Sequence, residues 1–118
     1  MRNFKTLTVW QKSHTLTLLI YKVSKAFPKK ELYGLTSQIR RSAISLLSNI
    51  SEGCGRLSDK ELSHYLVIAN GSANELEYQL LLAKDLECIP FPIYESIDNQ
   101  LIVIKNILNA FIRKLNSK

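Results

Sequence analysis

A chain of 118 residues, 46% of them hydrophobic, is long enough for one domain with a real core and too apolar to be intrinsically disordered. Its 16 Lys/Arg against 10 Asp/Glu give a net charge of +6, unevenly spread: residues 1–56 set ten bases against Glu31 and Glu52, residues 57–118 set six against eight acids, so the halves carry +8 and −2. That asymmetry points to a polyanion or an oppositely charged subunit as partner, and a solvated basic surface is the plain alternative. The longest apolar runs, such as Leu18 to Tyr21, cannot span a bilayer and no apolar signal core follows Met1, so no membrane role and a cytoplasmic location are expected. Cys54 and Cys88 form neither a metal-ligand spacing nor a CxxC pair and read as reduced thiols.

After a short arm from Met1 to Leu7 carrying Arg2 and Lys5, Thr8 and Gln11 have capping-box spacing and open a first helix. Trp10, Leu16, Ile20, Val23 and Phe27 form its apolar stripe, with Lys12, Lys22 and Lys25 outside, and Pro28 stops it because proline restricts the residue before it and lacks an N–H. The link to Leu35 contains Gly34, free to take a positive φ, and Thr36 is the expected N-cap of the second helix.

That second helix repeats apolar residues at Leu35, Ile39, Ala43, Leu46 or Leu47, and Ile50, at three-to-four spacing. Gln38, Ser42, Ser45 and Asn49 interrupt or flank the same face and need hydrogen-bond partners on neighbouring helices. Gly53 or Gly55 is expected to close it with a left-handed turn. Their GxG pattern follows a helix and lacks a Walker lysine, so it is no phosphate loop.

Ser58 and Glu61 form a second capping box. Behind it Leu62, Tyr65 or Leu66, Ala69, Ser72 or Ala73, Leu76, Leu80 and Ala83 define the buried stripe of a third helix. Gly71, Ser72 and Ala73 place three small residues in mid-helix, where glycine costs about 1 kcal/mol relative to alanine, so another helix is expected to approach closely there. Pro90 and Pro92 mark the next boundary. From Tyr94 through Ile97, Leu101, Ile104, Leu108, Phe111 and Leu115 runs a heptad seam, widened by Ile93, Ile102, Val103, Ile107 and Ile112. Four helices on short links and no strand signal make the chain all-α, an antiparallel up-down-up-down four-helix bundle forming one domain over residues 1–118.

Catalytic readings find no support. His14 and His64 lie on different helices without a fixed carboxylate, the serines lack a nucleophile-elbow context, and no Glu-x-x-His or EF-hand spacing is present, so neither enzyme activity nor a metal or cofactor is expected. In the bundle, Lys22, Lys25, Lys29, Lys30, Arg40 and Arg41 gather at one end together with Asp85, Glu87, Glu95 and Asp98. The other end collects Arg2, Lys5, Arg56, Arg113, Lys114 and Lys118 against Glu52, Asp59 and Glu61. Arg2, Lys5, Lys22, Lys25, Lys29, Lys30, Arg40 and Arg56 are therefore the candidate nucleic-acid contacts, and Tyr33 and Tyr78 the only candidate exposed stacking residues.

The blocks VWQKSH at Val9 to His14, FPKKELYGLTSQIRRSA from Phe27 to Ala43, SNISEGCGR from Ser48 to Arg56 and IANGSANEL from Ile68 to Leu76 resemble, in order, the four-helix-bundle proteins of the 23S rRNA intervening-sequence family. The resemblance covers roughly Phe4 to Leu86 and places the family's marker positions at Arg41, Asn49, Glu52 with Gly53, and Gly71 with Ser72 and Glu75, all in structural roles. It departs at Cys54, Ser42 and Ser51. What the resemblance implies is an antiparallel bundle assembled into a homopentamer, encoded within ribosomal RNA gene insertions, with a nucleic-acid-binding relative and no enzymatic activity. An RNA-binding protein is thus the leading reading, and a scaffold for itself or another protein the alternative. With the second turn near Arg56 and Leu57, Arg41 is expected opposite Ser72 and in contact with Glu75, and Asn49 near Tyr65 or His64.

Overall fold

In a computed structural model describing residues 2–117, helices α1 (Thr8–Ser24), α2 (Ser37–Cys54), α3 (Asp59–Asp85) and α4 (Phe91–Asn116) run antiparallel to their neighbours in a bundle 46 × 23 × 20 Å. Direction follows from the cross-helix contacts. Trp10 meets Ser51 while Ser24 meets Arg40; Ser42 meets Glu75 while Ser45 meets Ser72; Ser63 meets Asn116 while Glu77 meets Lys105. Each helix packs on the next and α4 closes on α1. Leu16 and Ile20, then Ile39, Leu46 and Ile50, then Leu66, Leu76 and Leu80, then Ile97, Leu101, Ile104 and Leu108 fill the centre. The three-to-four spacing located this core on all four helices.

Helix ends depart from expectation more than helix faces do. Thr8 begins α1, yet no capping box forms there: Leu7 holds the cap position without a side-chain bond, and Gln11 donates instead to the Lys5 carbonyl of a 3-10 turn at Phe4–Thr6. Ser58 does cap α3, accepting the Glu61 amide at 3.1 Å while its hydroxyl donates to the Glu61 carboxylate. Thr36 is no N-cap; its backbone is already helical because the turn Leu32–Thr36, which follows a 3-10 turn at Lys29–Glu31, joins α2 directly beyond its kink. Gly34 breaks that turn with φ −111° and ψ −108°, not with a positive φ.

No glycine takes a left-handed conformation among the described residues, and Gly55 closes α2 with φ −81°. Gly53 matters for a different reason. A Cβ on it would stand 2.9 Å from the Tyr65 Cβ and 3.0 Å from a Leu62 methyl, so its bare backbone is what lets α3 press against α2. Gly71, by contrast, faces open space, with nothing within 4 Å of an added Cβ; of the three small residues it is Ser72, 2.8 Å from Ser45 on α2, and the buried Ala73 that meet the rest of the bundle. The one left-handed residue among those described is Glu87, φ 63°, which ends α3 in a Schellman motif: the Cys88 amide bonds the Ala83 carbonyl at 2.8 Å and the Glu87 amide that of Lys84 at 2.9 Å.

Candidate nucleic-acid interface

At the end where α1 stops and α2 starts, helical phase puts Lys22 and Lys25 on the outer side of α1, and the 3-10 turn after Pro28 carries Lys29 and Lys30. All four are exposed, and none forms an ion pair among the described residues. Arg40 behaves differently. Its Nε donates to Ser24 Oγ at 2.9 Å and its guanidinium lies 4.8 Å from the centroid of the Tyr21 ring, so it fastens α2 to α1. Arg41, about 100° further round the helix, is exposed and has no hydrogen bond or ion pair among the described residues.

The expected Arg41 to Glu75 contact is therefore absent. Glu75 accepts from Ser42 Oγ at 2.8 Å, and Ser45 faces Ser72 at 2.8 Å, about one turn away from the expected register. Gly53 explains the slip: Leu62 and Tyr65 settle against it, which draws α3 along α2. Asn49 reaches neither Tyr65 nor His64; its amide donates back to the Ser45 carbonyl at 2.8 Å and to the Ser45 hydroxyl. Gln38 is exposed, while Ser42 and Ser45 do find their partners on α3.

At the opposite end Arg56 and Arg2 are held by their own chain. The Arg56 guanidinium donates to Glu52 at 2.7 Å and to the Tyr65 hydroxyl at 2.6 Å, and lies 4.8 Å from that ring's centroid. Arg2 sits 3.6 Å from Asp59 and 5.4 Å from the Phe111 centroid, and its amide bonds the Cys54 carbonyl at 2.8 Å. Lys5, Arg113 and Lys114 are exposed, with the Lys5 ammonium 5.9 Å from the Phe4 centroid; Lys118 lies outside the described residues. Trp10 is half-buried, stacked on His14, tilted against Phe4 and donating to Ser51.

The acids are arranged unequally too. Asp85, Glu87 and Glu95 are exposed near the lysine-rich end, with Lys84 3.3 Å from Asp85. Burial holds the Asp98 carboxyl above the usual aspartate range, Glu77 pushes it further and Lys105, bonded to Glu77 at 2.7 Å, pulls it back. Burial likewise raises the Cys54 and Cys88 thiols, both unbridged. Among the described residues no cluster of His, Cys, Asp and Glu could hold a metal ion, and no helix is long and apolar enough to cross a membrane.

The family model of the 23S rRNA-intervening sequence protein matches residues 5–110. The chain belongs to that family. A crystal structure of a protein of unknown function from the S23 ribosomal protein family of Bacteroides thetaiotaomicron superposes with a TM-score of 0.82 at 32% identity, covering 89% of this chain and 98% of that one. No curated protein matches. Within this member of the 23S rRNA-intervening sequence family, three of the eight proposed nucleic-acid contacts, Arg2, Arg40 and Arg56, are side chains already engaged, Lys5 lies over the Phe4 ring, and Lys22, Lys25, Lys29 and Lys30 are free among the described residues. Arg41, placed by resemblance in a structural role, joins the free set. A tandem Arg-Arg on a helix signals such a split, since adjacent side chains diverge and only one can lie over the neighbouring helix.

Proposed function

We propose that this protein is a non-enzymatic RNA-binding bundle, acting in the cytoplasm without cofactor, that engages phosphates through the end built from Lys22, Lys25, Lys29 and Lys30. What carries the reading is that these four cations are exposed and unpaired. The name of its family, after an intervening sequence of 23S rRNA, favours RNA as the polyanion. Lysines read charge more than sequence, so binding should be weakly sequence-selective and should fall steeply as salt is raised.

Self-assembly is a second reading, favoured by the outer face of α3. There Gly71 has open space in front of it, flanked by Val67 and Tyr78, 53% and 62% exposed. A helix-interior glycine that nothing in its own subunit approaches fits close packing by a second copy, as in a closed homopentameric ring that could also serve as a scaffold for another protein. Both readings are tested in one titration of ribosomal RNA fragments, unrelated RNA and duplex DNA at two salt concentrations, with sedimentation equilibrium alongside. Lys29→Glu combined with Lys30→Glu should weaken RNA binding by about tenfold or more at the lower salt. Equal binding by the charge-reversed protein sinks the RNA reading at this end; a monomer throughout the micromolar range sinks the ring.

A further inference from the structure

Beside the free lysines, between the start of α2 and the last turns of α1, lies an open groove of about 490 Å³. Tyr21, Leu32, Tyr33, Arg40, Arg41 and Ile44 line it. Its parts differ in freedom. Arg40 is pinned over the Tyr21 ring by its bonds to Ser24 and to the Tyr21 carbonyl, giving one wall that is flat, positively charged and immobile. Tyr33 stands on the π turn just before the Gly34 kink and is 93% exposed, with no hydrogen bond or ring contact among the described residues. Arg41 lines the groove with its guanidinium unpaired, and Leu32 and Ile44, both more than 40% exposed, complete an apolar lining.

We propose that this groove receives an unpaired nucleotide of the bound RNA, its base against the Tyr33 ring and its phosphate on Arg41. The inference rests on the RNA reading above and adds a ligand class to it: lysines alone take any duplex or single strand, whereas an exposed ring stacks on an exposed base face, which a duplex offers only at its ends. The choice of a nucleotide over a purely apolar occupant follows from charge. One guanidinium fixed at the wall and another free at the same groove suit an anion tethered to a flat apolar body, and the groove's volume is that of a small-ligand cleft.

Tyr33 touches nothing that holds the fold, so Tyr33→Ala should remain folded, as thermal unfolding will verify. The probes are a short labelled single-stranded RNA and the same sequence as a fully paired duplex. Tyr33→Ala should bind the single strand roughly tenfold more weakly and the duplex as well as wild type, because stacking on one aromatic is lost and phosphate contacts are not. Tyr33→Trp should restore single-strand binding, and the salt slope of Tyr33→Ala should match wild type. Equal affinity of Tyr33→Ala and wild type for the single strand overturns the proposal while leaving the RNA reading standing; equal weakening on both probes overturns it as a stacking site. Wild type that binds neither probe defeats the RNA reading itself. A shift in sedimentation on Tyr33→Ala with both RNA affinities unchanged would assign the groove to a protein contact and overturn the nucleotide.

Discussion

The two ends of the bundle carry comparable numbers of cations, yet one end uses Arg2 and Arg56 on its own chain and the other leaves Lys22, Lys25, Lys29 and Lys30 in solvent. Arg2 and Arg56 each find a carboxylate and an aromatic ring, Asp59 with Phe111 and Glu52 with Tyr65. Lys22, Lys25, Lys29 and Lys30 find neither. The difference is chemical: a guanidinium is planar, weakly hydrated and able to stack and bond at once, whereas an ammonium is compact and strongly hydrated and stays in water unless a carboxylate is placed for it. Counting charge thus overstates what the arginine end can offer an RNA. Arg41 and Arg113 are exceptions that test the rule; Arg40, not its neighbour Arg41, lies over the Tyr21 ring.

The largest effect expected on stability is at the closed end. Gly53→Ala puts a methyl 2.9 Å from the Tyr65 Cβ, a backbone-proximal atom that cannot swing away, and should destabilise by about 1–3 kcal/mol in chemical denaturation. It should also loosen the Arg56 clamp, since Tyr65 carries it. An unchanged midpoint would mean that α2 and α3 can separate without cost. Arg56→Ala should come next, at about 1–2 kcal/mol, from a hydrogen bond to the Tyr65 hydroxyl and the ring contact; the partly exposed pair with Glu52 adds little. Arg56→Lys should recover only a minor part of that loss, because an ammonium cannot reach carboxylate and phenol while stacking on the ring. Full recovery by lysine would erase the distinction between the two ends.

The smallest effect has the opposite sign and lies at the open end. Glu87 is held left-handed by the Schellman motif, where glycine carries no Cβ penalty, so Glu87→Gly should stabilise by about 0.5–1 kcal/mol in a thermal melt analysed at constant pH. It also removes an acid near the lysines, and should not weaken RNA binding. A loss of stability would show that the glutamate side chain makes up for its backbone strain.

Helix faces were legible in the sequence because burial repeats with the helical period, which is why Leu62 through Ala83 and Ile97 through Leu115 fell where the spacing put them. Ends were not, because a cap depends on which of several nearby donors and acceptors wins. Ser58 and Glu61 meet; Thr8 and Gln11, with the same spacing, lose to the Lys5 carbonyl. The α2–α3 register failed by about a turn for a related reason: no periodicity says that Gly53 will be the point of closest approach, and every cross-helix pairing shifts with it. The residue composition located the basic ends, but whether a cation is free or clamped depends on aromatic rings brought from elsewhere in the chain, Tyr65 to Arg56 and Phe111 to Arg2.

The bond from the Arg2 amide to the Cys54 carbonyl makes the opening residues a sensor of distant structure. An amide in a short arm outside the helices ordinarily trades its proton for deuterium fast, since no helical hydrogen bond protects it. Here exchange must wait until the strap lifts off the last turn of α2, so the protection of that single proton measures how often the strap opens, well before the core hydrogens of Ile39 or Leu76 register any unfolding.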